Sequence, residues 1–200
     1  MTEKTAQKEP GKKPVPSKKP KPQQEVVVQI PLSELHPFPD HPFQVREDAS
    51  MQETAESVKE YGVLVPALAR PREDGGYELI AGHRRKHACE LAGLATMPVI
   101  VRDIDRDAAT IIMVDSNLQR ENILPSERAK AYKMKMEAIK RQGAQTDLTS
   151  PKISAKFRSD DEVGQDAGVS GDTIRNYIAL TQLVPELQQM VDEKKIALSP

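Results

Sequence analysis

The chain has 200 residues, with 29 basic and 30 acidic side chains and a formal net charge of −1 at pH 7. Its single cysteine, Cys89, excludes an internal disulfide framework and is typical of a reducing compartment. No apolar run approaches the length of a membrane span and the start lacks the apolar core of a signal peptide, so we expect a cytoplasmic protein without a membrane partner.

Residues 1–24 differ in composition from the rest of the chain. They hold seven lysines, five prolines and two acidic residues, a local charge of +5 that leaves −6 for the remainder. Without an apolar run, this segment cannot bury enough surface to offset the entropy lost on ordering. We expect a disordered tail, which is either a spacer or an arm for nucleic acid or an acidic partner.

Short apolar runs and helical stretches alternate over residues 25–122, which predicts a small mixed α/β domain within an α+β protein. Strands are predicted at 25–30, 65–70, 77–81 and 97–101, with a proline-punctuated loop at 31–42 and a hairpin turn at 74–76. Helices are predicted over 51–61, which Gly62 would cap, and over 84–92. The first of these helices has an apolar face made of Met51, Ala55, Val58 and Tyr61.

Helical periodicity dominates from Asp105 onward, so residues 123–200 are predicted to form an all-α domain. Asp105 is expected to cap a helix that runs to about Asn117. Pro125 begins a longer amphipathic helix that is predicted to end near residue 143. The polar stretch at 143–158 is predicted to be a flexible connection.

A helix-turn-helix motif is predicted at 160–180, with an ordinary helical hairpin as the alternative. Ser159 and Glu162 have the spacing of a capping box for the first helix, Gly168 suits the turn, and Ser170 suits the cap of a second helix that runs through Leu180. The apolar positions that two crossed helices need are Val163, Ala167, Val169, Ile174 and Tyr177, with the small Gly164 at the crossing.

In such a motif the start of the second helix meets base edges in the major groove. The residues at that place are Ser170, Gly171, Asp172, Thr173, Arg175 and Asn176. Arg175 suits guanine and Asn176 suits adenine. Residues 160–200 hold eight acidic and three basic side chains, however, and phosphate neutralisation supplies most non-specific affinity. We therefore expect weak binding by the isolated motif, unless a dimer or other segments add contacts; a purely structural motif is the alternative.

Residues 79–88, Leu-Ile-Ala-Gly-His-Arg-Arg-Lys-His-Ala, have the pattern of a strand that breaks at Gly82 into a helix. The first turn of that helix holds Arg84 and Arg85, although acidic residues are usually favoured there. Two guanidinium groups at a helix N-terminus suit a phosphate chain. A basic surface turn is the alternative interpretation.

Four segments of the chain resemble boxes of the ParB family, which segregates plasmids and chromosomes, and they occur in the family's order. Residues 82–85, Gly-His-Arg-Arg, are similar to its Gly-Glu-Arg-Arg box. Residues 41–46, His-Pro-Phe-Gln-Val-Arg, resemble Asn-Pro-Phe-Gln-Pro-Arg, and residues 57–66 resemble Ser-Ile-x-x-x-Gly-x-x-x-Pro. Residues 116–127, Ser-Asn-Leu-Gln-Arg-Glu-Asn-Ile-Leu-Pro-Ser-Glu, resemble Glu-Asn-Leu-Gln-Arg-Glu-x-Leu-x-Pro-x-Glu. The resemblance extends over about residues 25–200, and we expect a fragment, because relatives of this kind continue with more helices and a dimerisation domain.

The resemblance implies a sulfiredoxin-like domain that binds CTP and Mg²⁺ and pairs with its neighbour to form a clamp on DNA. It implies double-stranded DNA with an inverted-repeat, centromere-like site as a partner, together with a homodimer, a ParA-type ATPase and association with the nucleoid. Gly82, Arg84 and Arg85 would hold the triphosphate with His83 beside them. Further nucleotide contacts would come from Arg46, Asn117 and Arg120, and Arg120 and Glu121 would lie in the mobile helix that closes the clamp. Gln44 would be the catalytic residue that orients water, next to Arg46. Asn117 would coordinate Mg²⁺, with Glu121 on the same helix face as a second candidate ligand.

Two positions depart from the family pattern. His83 and Ser116 stand where the family has glutamates, and Mg²⁺ prefers carboxylate oxygen, so we expect nucleotide binding to be retained better than hydrolysis. The leading hypothesis is a DNA-binding partition protein of a chromosome, plasmid or mobile element, switched by CTP and with at most weak CTPase activity. The alternatives are a helix-turn-helix transcriptional regulator that is independent of nucleotide and a sulfiredoxin-fold small-molecule kinase.

Overall fold

The computed structural model describes residues 25–120, 122–146 and 155–197, without the side chains of 143–146 and 155–159. The predicted tail at 1–24 lies outside these residues. The strands are β1 (Val27–Pro31), β2 (Leu35–Pro37), β3 (Ala67–Pro71), β4 (Tyr77–Ala81) and β5 (Thr96–Val101), with a 3₁₀ helix at Leu32–Glu34. The α-helices are α1 (Ala49–Tyr61), α2 (His83–Leu91), α3 (Arg106–Leu118), α4 (Pro125–Thr146), α5 (Ala155–Ala167), α6 (Gly171–Leu180) and α7 (Pro185–Asp192).

The strands form one mixed sheet in the order β1-β5-β3-β4-β2. Strand β1 pairs with β5 and β3 with β4 in antiparallel fashion, whereas β5 pairs with β3 and β4 with β2 in parallel fashion. Because successive side chains of a strand point to opposite faces, Leu79 lies in the core formed with α1 and α2, and Ile80 in the core formed with α3 and α4. The sheet therefore lies between two helical layers, and the predicted mixed α/β fold is confirmed.

Two details of the N-terminal half differ from the prediction. The predicted loop at 31–42 contains the edge strand β2, which ends at Pro37; proline is tolerated there because an edge strand leaves one side of its backbone unpaired. Tyr61 is 63% exposed and not part of the core. Ten residues at about 100° each place it roughly 80° from Met51 around the helix, off the buried face that Met51 and Val58 share.

The helical half confirms Asp105 as a cap, since its side chain accepts a hydrogen bond from the backbone N–H of Ala108. The capping box at Ser159 is wrong, because α5 already begins at Ala155 and Ser159 lies within the helix. The flexible connection predicted at 143–158 is wrong at both ends, because residues 143–146 and 155–158 are helical. Its middle part, 147–154, lies outside the described residues. None of the helices within the described ranges is long and apolar enough to cross a bilayer.

Helices α5 and α6 pack against each other through a tight turn. Gly168 has φ +68° and the hydroxyl of Ser170 accepts a hydrogen bond from the backbone N–H of Thr173, as predicted. A Cβ at Gly164 would lie 2.6 Å from the carbonyl oxygen of Val169, so only glycine fits at this crossing. The buried Val163 and Ile174 contact the buried Tyr132 of α4, and the two-helix unit is thereby attached to the long helix.

A buried lysine joins three helices. The ammonium of Lys135, on α4, donates hydrogen bonds to Asp115 of α3 at 2.7 Å and to Asp166 of α5 at 2.9 Å. Its side chain is 1% exposed, whereas the two carboxylates are 46% and 56% exposed. Burial by itself would lower the pKa of Lys135, but the two carboxylates outweigh it and raise the pKa, so the lysine is charged.

Candidate functional site

The turn from β4 into α2 depends on Gly82. This residue has φ +113°, a left-handed conformation that glycine adopts at little cost. A Cβ at this position would also lie 2.8 Å from the Cβ of Ala67 on β3. The chain can therefore turn close against the sheet, and the half-buried start of α2 has no side-chain cap.

Two adjoining cavities open beside this turn. The first has a volume of about 220 Å³ and the second of about 400 Å³, and both are lined by Phe43, Arg84 and Arg120. The predicted residues that line the first cavity are Gly82, His83, Arg84, Arg85, Asn117 and Arg120. The predicted residues that line the second are Gln44, Arg46, Arg84 and Arg120. The fold thus brings together predicted residues from three separate segments of the chain.

The first cavity is electropositive. Arg84 and Arg120 both face it, and among the described residues that line it none is acidic. Burial and then the charge of Arg84 lower the pKa of Arg120, although the charges of Glu127 and Asp48 act in the opposite direction. Two residues of the second cavity hold the Arg84 side chain in place. Arg84 donates a hydrogen bond to Ser50 at 3.2 Å and lies 3.7 Å from Asp48. An anion is the ligand that such a cavity favours.

Arg85 has a different environment from Arg84. Its Nη1 donates hydrogen bonds to the carbonyl oxygens of Val65 at 2.5 Å and Pro66 at 2.6 Å. Burial lowers the pKa of Arg85. The Arg85 side chain lines the first cavity, but its hydrogen bonds hold the segment before β3 against α2. The two consecutive arginines in the sequence did not predict this structural role.

Glu127, at the start of α4, holds the segment that carries Gln44 and Arg46. One carboxylate oxygen accepts a hydrogen bond from the backbone N–H of Gln44 at 3.1 Å, and the other accepts one from the backbone N–H of Leu124 at 3.1 Å. Arg46 lies 3.8 Å from the first oxygen. Sequence reasoning missed this role, although Glu127 is the last residue of the fourth box. A glutamate two residues after a helix-opening proline was the available signal.

Of the two predicted Mg²⁺ ligands, the structure describes Asn117 only, and this side chain is engaged in hydrogen bonds within the protein. The Asn117 amide donates a hydrogen bond to the Met113 carbonyl at 2.8 Å, and its Oδ1 accepts one from Arg120 at 3.4 Å. The Ser116 hydroxyl donates to the same carbonyl at 2.9 Å. Glu121 lies outside the described residues, and within them no group of three or more His, Cys, Asp or Glu side chains could hold a metal ion. The described donors therefore do not fit Mg²⁺, which prefers carboxylate oxygen.

His83 packs against a second histidine that the sequence did not single out. The rings of His41 and His83 have centroids 3.9 Å apart and an interplanar angle of 44°. Burial, followed by the charges of His41 and Lys86, lowers the pKa of His83 to about 3, and burial also lowers the pKa of His41. Both rings are therefore neutral at neutral pH, and the signal available in the sequence was that two of its four histidines occupy family-box positions.

The neutral His83 ring predicts a specific pH dependence of stability. The pKa is 6.5 in the absence of the fold and about 3 within it, so the unfolded chain binds more protons between these values. The contribution of the ring to the free energy of unfolding is complete above pH 6.5 and is lost as the pH falls toward 3. In urea unfolding, the difference between wild type and His83→Gln should shrink over this range. Parallel curves for the two proteins would contradict the assignment.

The predicted DNA-reading residues lie at the start of α6. Ser170, Asp172, Arg175 and Asn176 are exposed and Thr173 is half-buried, whereas Gly171 is buried against Asp161 and is not on the exposed face. Arg175 forms ion pairs with Asp172 and, at 3.5 Å, with Asp160. The hydrogen bond to Asp172 is the largest cause that raises the pKa of Arg175. The guanidinium is thus exposed but partly neutralised by the chain itself.

Comparisons with solved structures agree with this architecture. The structure of the C-terminally truncated chromosome-partitioning protein ParB from Caulobacter crescentus, complexed to the centromeric parS site, matches with a TM-score of 0.56 and 27% identity over 86% of this chain and 80% of that chain. A Pnob8-like ParB-N domain matches with a TM-score of 0.58 and 17% identity, covering 88% of this chain and 77% of that chain, which shows the fold alone.

Sequence comparisons give the family. The model of the ParB N-terminal domain matches residues 16–118. The chromosome-partitioning protein Spo0J of Thermus thermophilus is 36% identical over 171 residues, 85% of this chain and 56% of that protein. The stage 0 sporulation protein J of Bacillus subtilis is 31% identical over 175 residues, 88% of this chain and 56% of that protein. The chain spans about half the length of these curated relatives. The glycine turn, the electropositive cavity and these matches together show that the chain belongs to the ParB family.

Proposed function

We propose that this chain is the nucleotide- and DNA-binding part of a partition protein, and that the two cavities beside Gly82 bind CTP. The observation that supports it most is the pair of arginines, Arg84 and Arg120, which face a cavity without a described acidic side chain at the uncapped start of α2. Free backbone N–H groups and guanidinium groups both favour phosphate oxygens. Membership of the ParB family gives CTP as the nucleotide.

In this proposal the triphosphate lies along the start of α2, where Gly82 allows close approach of the backbone. Arg84 and Arg120 contact its oxygens from the wall that the two cavities share. Gln44 orients a water molecule from the second cavity, and Glu127 fixes the position of the Gln44 backbone. We expect weak hydrolysis because His83 and Ser116 stand where the family has glutamates, and Mg²⁺ prefers carboxylate oxygen.

Calorimetric titration tests the nucleotide site. We expect CTP to bind in preference to ATP, GTP and UTP, and Arg84→Ala to weaken CTP binding by at least about tenfold, since a charge-assisted hydrogen bond contributes roughly 1.5–3 kcal/mol. Arg106→Ala, an exposed arginine at the start of α3, is the matched control and should bind CTP like wild type. Absence of nucleotide binding by the folded protein, or equal binding by both variants, would refute the site.

We further propose that α5 and α6 form a helix-turn-helix that binds an inverted-repeat DNA site as a homodimer. The similar ParB from Caulobacter crescentus was solved in complex with the centromeric parS site, and the exposed start of α6 carries Arg175 and Asn176. Base contact by Arg175 requires exchange of its ion pairs with Asp172 and Asp160, so this arginine adds specificity more than affinity. A ParA-type ATPase partner, nucleoid association and a plasmid or mobile-element origin stay predictions from the family.

Fluorescence anisotropy with a parS-type duplex and a shuffled duplex tests the DNA contact. Arg175→Ala should weaken binding to the parS-type duplex by about 1–3 kcal/mol, roughly 5- to 150-fold, and leave the shuffled duplex almost unchanged. Arg106→Ala again serves as the control. An equal loss on both duplexes would assign Arg175 to phosphate contact and contradict base reading.

The alternative function is a DNA-binding regulator that has lost the nucleotide switch. The observations in its favour are His83 and Ser116, which leave the first cavity without the family's two carboxylates. The lifetime of the protein on a closed DNA loop, with and without CTP, separates the two proposals. A longer lifetime with CTP supports the clamp, and an unchanged lifetime supports the regulator.

A further inference from the structure

The charged side chains that line the two cavities beside Gly82 are mostly cationic. The first cavity has Arg84, Arg85 and Arg120, and no acidic side chain among the described residues that line it. Arg46 extends the positive surface into the second cavity, which also contains Arg84 and Arg120. Guanidinium groups bind phosphate oxygens through pairs of hydrogen bonds. The cavities therefore offer a phosphate chain four cationic partners that belong to the protein itself.

The second cavity contains two carboxylates, and both are engaged within the protein. Oδ1 of Asp48 accepts a hydrogen bond from the backbone N–H of Met51 at 2.9 Å and caps α1. The two oxygens of Glu127 accept hydrogen bonds from the backbone N–H groups of Gln44 and Leu124. Mg²⁺ demands near-ideal octahedral geometry and gives up its water reluctantly. A metal ion on either carboxylate would compete with hydrogen bonds that hold the walls of the site.

The other polar atoms of the first cavity do not suit Mg²⁺ either. The side-chain oxygen of Asn117 accepts a hydrogen bond from Arg120, and the Ser116 hydroxyl donates to a backbone carbonyl three residues earlier. The Nε2 atoms of His41 and His83 are buried beneath the cavity wall. Imidazole nitrogen is also a poorer ligand than oxygen for this hard cation. The described lining thus suits the phosphates of a nucleotide and not the metal ion that usually accompanies them.

We propose that the two cavities bind the nucleotide without a metal ion, and that arginine side chains replace Mg²⁺ as the partners of the phosphate oxygens. The inference rests on the proposed nucleotide site. A Mg²⁺ ion on the phosphate chain cancels part of the negative charge that the guanidinium groups attract, and it occupies oxygens that they contact. Because no described carboxylate is available to hold the ion in return, this loss is not offset. Free CTP therefore binds at least as tightly as its magnesium complex.

Calorimetric titration of the whole chain with CTP, in EDTA and in excess Mg²⁺ at matched ionic strength, tests this inference. We expect the affinity in EDTA to equal or exceed the affinity in Mg²⁺, whereas a site that holds the ion would lose at least about tenfold in EDTA. CTP binding that requires Mg²⁺ refutes the inference and leaves the proposed nucleotide site standing. Absence of binding in both buffers, by a protein that circular dichroism shows to be folded, refutes both.

Glu121 lies outside the described residues, so Glu121→Gln is titrated in the same two buffers. We expect this variant to bind CTP independently of Mg²⁺, as the wild type does. If Mg²⁺ strengthens CTP binding to the wild type and Glu121→Gln abolishes the effect, this carboxylate holds the ion and the inference is wrong.

A carboxylate added to the first cavity should create a dependence on Mg²⁺. Ser116 is exposed and lines this cavity, so Ser116→Glu places an acidic group there without burying it. We expect it to weaken binding of free CTP at least about fivefold and Mg²⁺ to restore the affinity, because the carboxylate repels phosphate and attracts the ion. Ser116→Gln has the same length without the charge, and its CTP binding should not depend on Mg²⁺. If the two variants respond alike to Mg²⁺, the missing carboxylate is not the cause and the inference fails.

Discussion

The double substitution of Asp115 and Asp166 by alanine is expected to destabilise the protein by about 3–5 kcal/mol, because it leaves a buried ammonium without a counter-charge. Lys135 is 1% exposed and its two hydrogen-bond acceptors are these carboxylates. The reverse change, Lys135→Met, should cost much less, since the apolar side chain has a similar length and the two half-exposed carboxylates can be solvated. Urea unfolding of each variant measures both free energies.

The triple variant supplies the decisive control for this prediction. Lys135→Met in the doubly substituted background removes the uncompensated charge, so it should restore most of the lost stability. This sign reversal, in which the same lysine substitution destabilises one background and stabilises the other, is what a buried charge predicts. If Lys135→Met is destabilising in both backgrounds, the lysine contributes mainly through packing and the electrostatic account is wrong.

Gly82→Ala is expected to destabilise the protein by about 2–5 kcal/mol and to abolish CTP binding. The left-handed backbone costs an alanine about 1–2 kcal/mol, and the contact of its Cβ with Ala67 adds about 1–3 kcal/mol of overpacking. Gly93→Ala is a matched control, because Gly93 also has a positive φ, +73°, but has no atom within 4 Å of an added Cβ. It should cost only about 1–2 kcal/mol and leave CTP binding intact. If Gly82→Ala and Gly93→Ala lower the free energy of unfolding equally, the added Cβ at position 82 is accommodated by movement of Ala67 and the predicted clash is wrong.

Features set by neighbouring residues were predictable from the sequence. Asp105 and Ser170 cap their helices through side-chain hydrogen bonds that span three residues, and Gly82 turns a strand into a helix within a single residue. Such local preferences do not depend on the rest of the fold. The predicted ends of the strands and helices at these residues were therefore largely correct.

Features set by distant contacts were not predictable in the same way. The strand β2 has three residues and exists because β4 offers it an edge, and Lys135 acquires its partners only when α3 and α5 pack around α4. Ser159 and Glu162 have the spacing of a capping box, but Ala155, Lys156 and Arg158 favour helix. The helix α5 therefore begins four residues before Ser159. The family boxes named the residues around the cavities, including His41 and Glu127, but not the contacts that these two make. The roles of His41 and Glu127 emerge only from the assembled cavities.

The carboxylate of Glu127 limits which sequences this fold can tolerate. Each of its oxygens accepts a hydrogen bond from a different backbone N–H, one in the Gln44 segment and one at Leu124. Glutamine would turn its NH₂ group toward one of these donors in either orientation, and aspartate is one methylene too short to span both. Substitution therefore releases the segment of Gln44 and the start of α4 together. A substitution at this position therefore cannot change the Gln44 segment without also changing the start of α4, and the two elements must tolerate the same residue.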